Sequence, residues 1–442
     1  MIKIHTIGGY NEVGKNMTLI EVDDESVILD MGLHMEKYIA YTEDREDISE
    51  VEIKTLIQEN IVPNISNIDK KKVKAIIPTH AHLDHVGGVP FLAHEFECPI
   101  IGTPFTIEVL NAILADNNQL IPNPTKTLEI HGKYRLSKKI EIEFINSTHS
   151  TPQTVMVALH TPYGTIVYAN DFKFDEFPTL GEKTDIEKLR KFGKKHNVRA
   201  LIVDSTYSNS EGKTPSESVA KEMLKGVLLG TDTKHHAIIV TTFASHIARL
   251  KAIVEFGQKL GRKIVFMGRS LSKYVIAAQN VGLIDWTDSV KLVRYGKQMT
   301  RVLKQIVDEG TDKYLLVVTG HQGEPGSVLS RIASQELKFP IKDDDFIIFS
   351  CCVIPNKINK ENRALLENKL KRFEPRIFKD IHASGHASKE DLRDLISLVN
   401  PEHIIPAHGT KEMRSGMLPL AEELEYPKEN VHLLENGGLL EL

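Results

Sequence analysis

The sequence predicts an α/β protein of more than one domain, in which a region of stacked strands is interrupted by a parallel α/β segment. Its 442 residues can bury more than one core. Over the first third, short β-branched runs alternate with Gly, Asn and Asp punctuation. From about residue 207, helical and strand-like runs take turns instead, as in a parallel sheet with crossover helices.

Taken in order, MTLIEV, SVILDMG, KAIIPTH, IEIEFIN, TVMVALHT and GTIVYAND read as strands, with few long helices among them. Beyond residue 207, PSESVAKEMLKGVL and SHIARLKAIVEFGQKLG carry helical spacing. AIIVTTF, KIVFMG, YLLVVTG and DFIIFS read as strands. After about residue 354 comes a mixed tail: IHASGH, a helical EDLRDLISLV, a strand-like HIIPAHG and a Gly-Gly turn before LLEL. Small polar residues follow several strands of the α/β segment, in TTFASH, FMGRS, TGHQGEPGS and FSCC. Loops at the carboxyl ends of parallel strands bind ligands, often phosphate at a helix N-terminus, although singly such residues are ordinary caps and turns.

Composition narrows the class. With 41% hydrophobic and 26% charged residues, the chain is ordinary globular material, neither disordered nor fibrous. The opening MIKIHTIGGYNEVGKN has no signal-like apolar run, and no later stretch approaches the ~20 apolar residues that span a bilayer. The expectation is a soluble cytoplasmic protein without membrane association. Three cysteines, Cys98, Cys351 and Cys352, two of them adjacent, suit a reducing compartment and not a disulfide framework or zinc ribbon. A net charge of -5 gives no global attraction to nucleic acid, so a polyanion would need a local basic surface or bound metal. Basic stretches such as KLRKFGKKH and KLKRFEPR could guide RNA, but such runs are usually solvated helix faces.

The strongest chemical signal is Thr79-His80-Ala81-His82-Leu83-Asp84-His85, between the strand-like KAIIP and Gly87-Gly88. His80, His82, Asp84 and His85 are imidazole and carboxylate donors suited to Zn or Mn, and a loop at a strand end can turn such side chains toward one point. Clustered polar groups after an apolar strand would otherwise cost burial energy without compensation. His149, Asp171 and His408 each follow a further strand-like run. The order resembles the metallo-β-lactamase superfamily, whose HxHxDH motif is followed by a His, an Asp and a His at later strand ends. The resemblance implies two Zn2+ per chain, with Mn2+ as the alternative metal. His80, His82 and His149 would hold one ion, Asp84, His85 and His408 the other, and Asp171 would bridge them. Such metals lower the pKa of water toward ~7 and stabilise the oxygens of a phosphoester.

The long interval between Asp171 and His408 resembles the β-CASP insertion of nucleic-acid-cleaving members. Asp204 in LIVDSTYS, His386 in HASGHAS and His408 in PAHG resemble its motifs A, B and C, and histidine at motif C favours RNA over DNA. Nearly the whole chain resembles the ribonuclease J family, through GGYNEVGKN, TTFASHIARL, FMGRS, TGHQGEP and HASGHA in register. This implies a metallo-β-lactamase αββα sandwich formed by residues 1–206 and 355–442, with an α/β β-CASP domain inserted at 207–354. It implies 5′ to 3′ exonucleolytic hydrolysis of single-stranded RNA favoured by a 5′ monophosphate, with endonucleolytic cleavage as a second activity. His386 would be the general acid, Asp204 would orient a histidine, and His382, Ala383, Ser384, Gly385 and His386 would grip phosphate with Ser245, Arg269 and Ser270.

Two departures stand out. Family members often have an Asp where this chain has Gln153, which puts that carboxylate's orienting role in doubt. The chain ends at Leu442, like the short archaeal form and without the C-terminal self-association domain of bacterial members, so a homodimer through that domain is not assumed. The alternatives are a β-CASP endoribonuclease of RNA 3′-end or tRNA processing, which the ribonuclease J-like strings disfavour, and a non-catalytic RNA-binding relative, which the complete ligand set disfavours.

Overall fold

The computed structural model describes residues 1–42, 51–195 and 197–442. Two compact units emerge: Met1–Glu176, Gly181–Thr214 and Ser384–Leu442 form unit 1, while Phe177–Leu180 and Pro215–Ala383 form unit 2.

Unit 1 carries β1 (Ile2–Gly8), β2 (Met17–Val22), β3 (Glu25–Leu29), β4 (Val73–Ile77), β5 (Ile100–Gly102), β6 (Thr125–Thr127), β7 (Lys133–Arg135), β8 (Glu141–Asn146), β9 (Val155–Thr161), β10 (Gly164–Ala169) and β11 (Val198–Asp204). Unit 2 carries β12 (Ile238–Thr241), β13 (Lys263–Met267), β14 (Val290–Val293), β15 (Tyr314–Val318), β16 (Phe346–Phe349) and β17 (Arg376–Phe378). The chain then returns to unit 1 for β18 (His403–Ala407) and β19 (Gly438–Glu441).

Two sheets make the sandwich of unit 1, in the orders β19-β1-β2-β3-β4-β5-β6 and β18-β11-β10-β9-β8-β7. Strand side chains alternate between faces, so successive residues of β10 enter different cores, Ile166 and Tyr168 one and Val167 and Ala169 the other. Ile4, Ile20, Leu29 and Ile77 of the first sheet meet Phe144, Val157, Ile166 and Ile202 of the second in one core. On the far face of the second sheet, Val167, Leu201 and Val203 pack under Leu189 and Phe192 of the helix Ile186–Lys195 and Leu392, Leu395 and Ile396 of the helix Lys389–Val399. The helix Pro104–Asp116 packs against β5 and β6 of the other sheet, which completes an αββα arrangement. This 13-residue helix has no counterpart among the elements read from the sequence. Seven of its residues, from Phe105 to Leu114, are buried, so its apolar positions do not form the clean stripe that helical periodicity detects. Pro406 interrupts β18 without harm because β18 is an edge strand and needs no donor on its open side.

Strand direction positions the site. The pairs β3/β4, β10/β11 and β11/β18 are parallel, and β8 and β10 each run antiparallel to β9. The C-terminal ends of β8, β10, β11 and β18 therefore share one edge of their sheet, and those of β3 and β4 share one edge of theirs.

Unit 2 holds a six-stranded sheet, β14-β13-β15-β12-β16-β17, with every pairing parallel. Its central strands IIVT, YLLVV and FIIF are wholly buried, as both-face coverage by helices requires. Ile239, Val265, Leu316 and Ile347 pack with Leu303, Leu329, Leu366 and Leu370. The helix Lys357–Leu370 belongs to this core although it lies beyond the sequence's change of pattern near residue 354. Arg249 is fully buried in unit 2, where its guanidinium meets Glu217 at 2.5 and 2.8 Å and donates to the carbonyls of Ser350 and Ile381 at 2.9 and 2.8 Å. Among the described residues, no helix is long and apolar enough to cross a membrane.

Candidate metal centre

The seven ligand candidates and Asp204 lie past, or at the end of, a strand. His80 and His82 follow β4, and His82 opens the short helix Leu83–Val86 that carries Asp84 and His85. His149, Asp171 and His408 follow β8, β10 and β18, and Asp204 ends β11. Asp171 and His408 adopt left-handed φ values of 51° and 53°. Non-glycine residues enter that region at a cost of order 1 kcal/mol or more, the kind of local strain that concentrates at working sites.

Two four-residue groups of donor atoms result, each within 4.8 Å: His80, His82, His149 and Asp171, and Asp84, His85, His408 and Asp171; a smaller third group joins Asp171 to Asp204 and His386. In the first, His82 Nδ1 lies 3.2 Å from His80 Nε2 and 3.1 Å from His149 Nε2, and Asp171 Oδ2 lies 3.5 and 3.4 Å from the same two atoms. In the second, Asp171 Oδ1 lies 3.3 Å from His85 Nε2 and 3.6 Å from His408 Nε2. Asp84 Oδ2 closes that group at 3.7 and 3.8 Å from the same two nitrogens. Asp171 thus turns one oxygen to each group.

The outer contacts orient these rings. His149 Nδ1 is 2.7 Å from the carbonyl of Gly385, which can only accept, so Nδ1 carries the proton and the Nε2 lone pair faces the cluster. A Cβ on Gly385 would stand 2.7 Å from His149 Nδ1, so only glycine permits the contact. Asp30, fully buried and also left-handed at φ 59°, accepts from Thr79 N at 2.7 Å, Thr79 Oγ1 at 2.9 Å, Tyr168 OH at 2.9 Å and His85 Nδ1 at 2.7 Å. His80 Nδ1 is 3.0 Å from Thr79 Oγ1. Partners that hold the far nitrogen of a histidine fix its tautomer and aim. Asp30 was not singled out in the sequence, where its only trace is an Asp closing SVILD, one of many strand-end acids; Thr79 stands at the head of the histidine motif without a role of its own.

The electrostatics suit a cation. Burial, with neighbouring imidazoles adding to it, holds His80, His82 and His149 well below the ordinary histidine value, so their nitrogens offer lone pairs. Burial also opposes charge on His85, but Asp171, Asp30 and Asp84 outweigh it and raise that ring. Asp171 Oδ1 is shielded from solvent and has no hydrogen-bond partner among the described residues. An orphaned carboxylate oxygen amid convergent imidazoles fits a divalent metal with N and O ligands.

Beside the cluster, His386 Nδ1 lies 2.7 Å from Asp204 Oδ2, and its ring stacks on His408 at 5.5 Å between centroids. Burial opposes protonation of His386, but Asp204 and Asp171 prevail and lift it to about 9. Thr206 N and Oγ1 hold the other Asp204 oxygen at 2.9 and 2.7 Å. Ser384 Oγ accepts from His386 N at 3.1 Å.

In unit 2, Ser245, Arg269, Ser270, His382 and Ala383 lie past the C-terminal ends of parallel strands. Ser245 is buried just before His246, which caps the helix Ile247–Lys259; Arg269 is exposed and Ser270 half-buried in the first turn of the helix Arg269–Asn280. Gln153 does not take up ligand orientation: its Oε1 accepts from Phe105 N at 2.7 Å, capping the helix Pro104–Asp116. The basic run 188–196 presents Arg190, Lys191, Lys194 and Lys195 to solvent, and its last residue, His196, lies outside the described residues.

An αββα sandwich with histidines and aspartates converging at strand ends defines a metallo-hydrolase of the metallo-beta-lactamase superfamily, which residues 10–211 match. Residues 235–368 match the ribonuclease J beta-CASP domain, and residues 373–433 match the Zn-dependent metallo-hydrolase RNA specificity domain. The chain is 45% identical to ribonuclease J of Methanocaldococcus jannaschii over 99% of its length and 98% of that protein. It is 43% identical to ribonuclease J of Pyrococcus abyssi, covering 100% and 97% of the two chains. It is 32% identical to that of Thermus thermophilus, covering all of this chain and 74% of the relative. The chain belongs to the ribonuclease J family. A crystal structure of a protein of unknown function from Enterococcus faecalis V583 shares the fold, with a TM-score of 0.66 at 17% identity over 99% of each chain.

Proposed function

We propose that this chain hydrolyses RNA phosphodiester bonds with two zinc ions, mainly from the 5′ end and with preference for a 5′ monophosphate. Membership of its family makes it a metal-dependent ribonuclease, a hydrolytic nuclease acting on RNA. The observation that carries the two-ion reading is Asp171, whose two oxygens face two separate groups of donors. His80, His82 and His149 would hold one ion and Asp84, His85 and His408 the other, with Asp171 between them. When bound, two such metals activate water and neutralise charge developing on the phosphate oxygens.

The chain's own residues supply the rest. Asp204 holds His386 by Nδ1, which leaves Nε2 as the nitrogen free to give a proton to the departing 3′ oxygen. The Asp204 carboxylate against Nδ1 favours the protonated form of this ring, the form a general acid needs. Ser384 and Gly385 in unit 1, and His382, Ala383, Ser245, Arg269 and Ser270 in unit 2, are the proposed RNA-phosphate contacts. We take single-stranded RNA as substrate and the cytoplasm as the site of action.

The test uses RNA labelled at either end and bearing a 5′ hydroxyl, monophosphate or triphosphate. Labelled mononucleotide from the earliest times, fastest from the monophosphate, is the expected result. Long internal fragments, equally abundant for all three ends, would reject the exonucleolytic reading and leave only a metal-dependent endonuclease.

A further inference from the structure

The glycine-rich string near the N-terminus, GGYNEVGKN, has so far served only as a family likeness, yet its last residue lies beneath the metal cluster. Asn16 is 1% exposed and reaches three of the residues assigned above as ligands, Asp84 through its backbone carbonyl and His85 and His408 through their rings. Its backbone N–H donates to the Asp84 carbonyl at 3.0 Å, and its side-chain Nδ2 donates to the same carbonyl at 3.1 Å. Nδ2 also lies 3.0 Å from His85 Nε2, and Oδ1 lies 2.8 Å from His408 Nδ1. Gly32 N donates to the Asn16 carbonyl at 3.0 Å, and Gly32 must be glycine because a Cβ there would fall 1.6 Å from the Asp84 carbonyl oxygen.

These contacts determine one another. A backbone carbonyl only accepts, so the amide nitrogen of Asn16 has to face Asp84 and the amide oxygen has to face His408. An amide oxygen has no proton to give, so His408 Nδ1 must carry one. In the neutral ring the lone pair is then on Nε2, which is the atom turned toward Asp84 Oδ2 and Asp171 Oδ1. Asn170 Nδ2, 3.3 Å from Asn16 Oδ1, reinforces the same orientation. The backbone of His408, at φ 53°, is strained and therefore needs such a tether.

We propose that Asn16 is a positioning residue: its carboxamide selects the Nδ1–H tautomer of His408 and ties that ring to the Asp84–His85 turn, so that three donors separated along the chain present one cation position. The proposal rests on the reading of His408 as a metal ligand.

The experiment measures Zn2+ binding to the full chain by competition with a chelator, for the wild type, Asn16→Leu and His408→Ala. Asn16→Leu keeps the volume and removes both polar contacts. It should weaken one zinc by about 10–100-fold, the range for losing a residue that orients a ligand, and leave the other unchanged. If His408→Ala loses that ion while Asn16→Leu binds both as the wild type does, the positioning role is wrong and the ligand reading stands. If His408→Ala also keeps both ions, the ligand reading fails and takes this proposal with it. Should Asn16→Leu not fold, ¹⁵N NMR of the wild-type histidines decides, recorded with chelator at a pH above the imidazole range and assigned through His408→Ala. An Nδ1–H resonance for His408 supports the role, and an Nε2–H resonance overturns it.

Discussion

Replacing Asp30 by asparagine tests how the buried surroundings of the cluster hold it. The carboxylate accepts four hydrogen bonds, with Oδ1 facing Thr79 N and Oγ1 and Oδ2 facing His85 Nδ1 and Tyr168 OH. An asparagine can keep its oxygen toward only one of these pairs. Toward Thr79, its NH2 confronts His85 Nδ1, which must give up its proton and move it to Nε2, the nitrogen that faces Asp171. Toward His85, the NH2 confronts the backbone N–H of Thr79, and a buried donor goes unmatched. Either arrangement sacrifices one or two buried hydrogen bonds to a charged group, for a loss of about 2–4 kcal/mol in stability. The first also removes a ligand lone pair, so metal affinity should fall by about 10–100-fold. Guanidinium denaturation with chelator present measures the first quantity, and chelator competition the second. Wild-type affinity and wild-type stability together in Asp30→Asn would refute the argument that this carboxylate sets the His85 tautomer.

Asp84→Ala and His80→Ala should each abolish RNA cleavage and lower bound metal while the fold persists, because His80 lies in the loop past β4 and Asp84 in the one-turn helix that follows; full activity after chelation and dialysis would contradict a metal role. His386→Ala should slow cleavage by about 10²–10⁴-fold with metal content unchanged, and parallel loss of metal would make His386 a ligand instead. Glu143 supplies a stability test at acid pH: burial works against its charge, but hydrogen bonds from His160, Lys188 and Lys133 bring its pKa from 4.5 down to about 2. A depressed carboxylate stabilises the fold above its unfolded pKa and loses that contribution as pH falls through the folded value. Glu143→Gln should therefore cost about 1–3 kcal/mol at pH 6 and progressively less between about pH 4.5 and 2, and a gap that does not change with pH would count against the network.

Much of this architecture is local and therefore readable along the chain. Short β-branched runs such as MTLIEV and GTIVYA form β2 and β10, and IIVT and FIIF form strands buried along their whole length. His80, His82, Asp84 and His85 stand close in sequence because one turn after one strand delivers all four. The helix Pro104–Asp116 was less visible, since a helix buried around much of its surface loses the amphipathic period. Likewise the packing of unit 2 runs on through Leu366 and Leu370, where no break in pattern announces it.

By itself the sequence determined which residue types follow which strands, and hence a metal-binding α/β hydrolase, because strand periodicity and ligand chemistry are properties of a few neighbouring residues. Only the tertiary structure decided how those residues are held. Asp30 accepting from Thr79, Tyr168 and His85, Asn16 spanning from Asp84 to His408, and Arg249 joining Glu217 to Ser350 and Ile381 are polar contacts between distant parts of the chain. A buried hydrogen bond carries no periodic signature in sequence. It exists because strand direction brings particular chain segments together, and because a polar group taken from water must find its partner there.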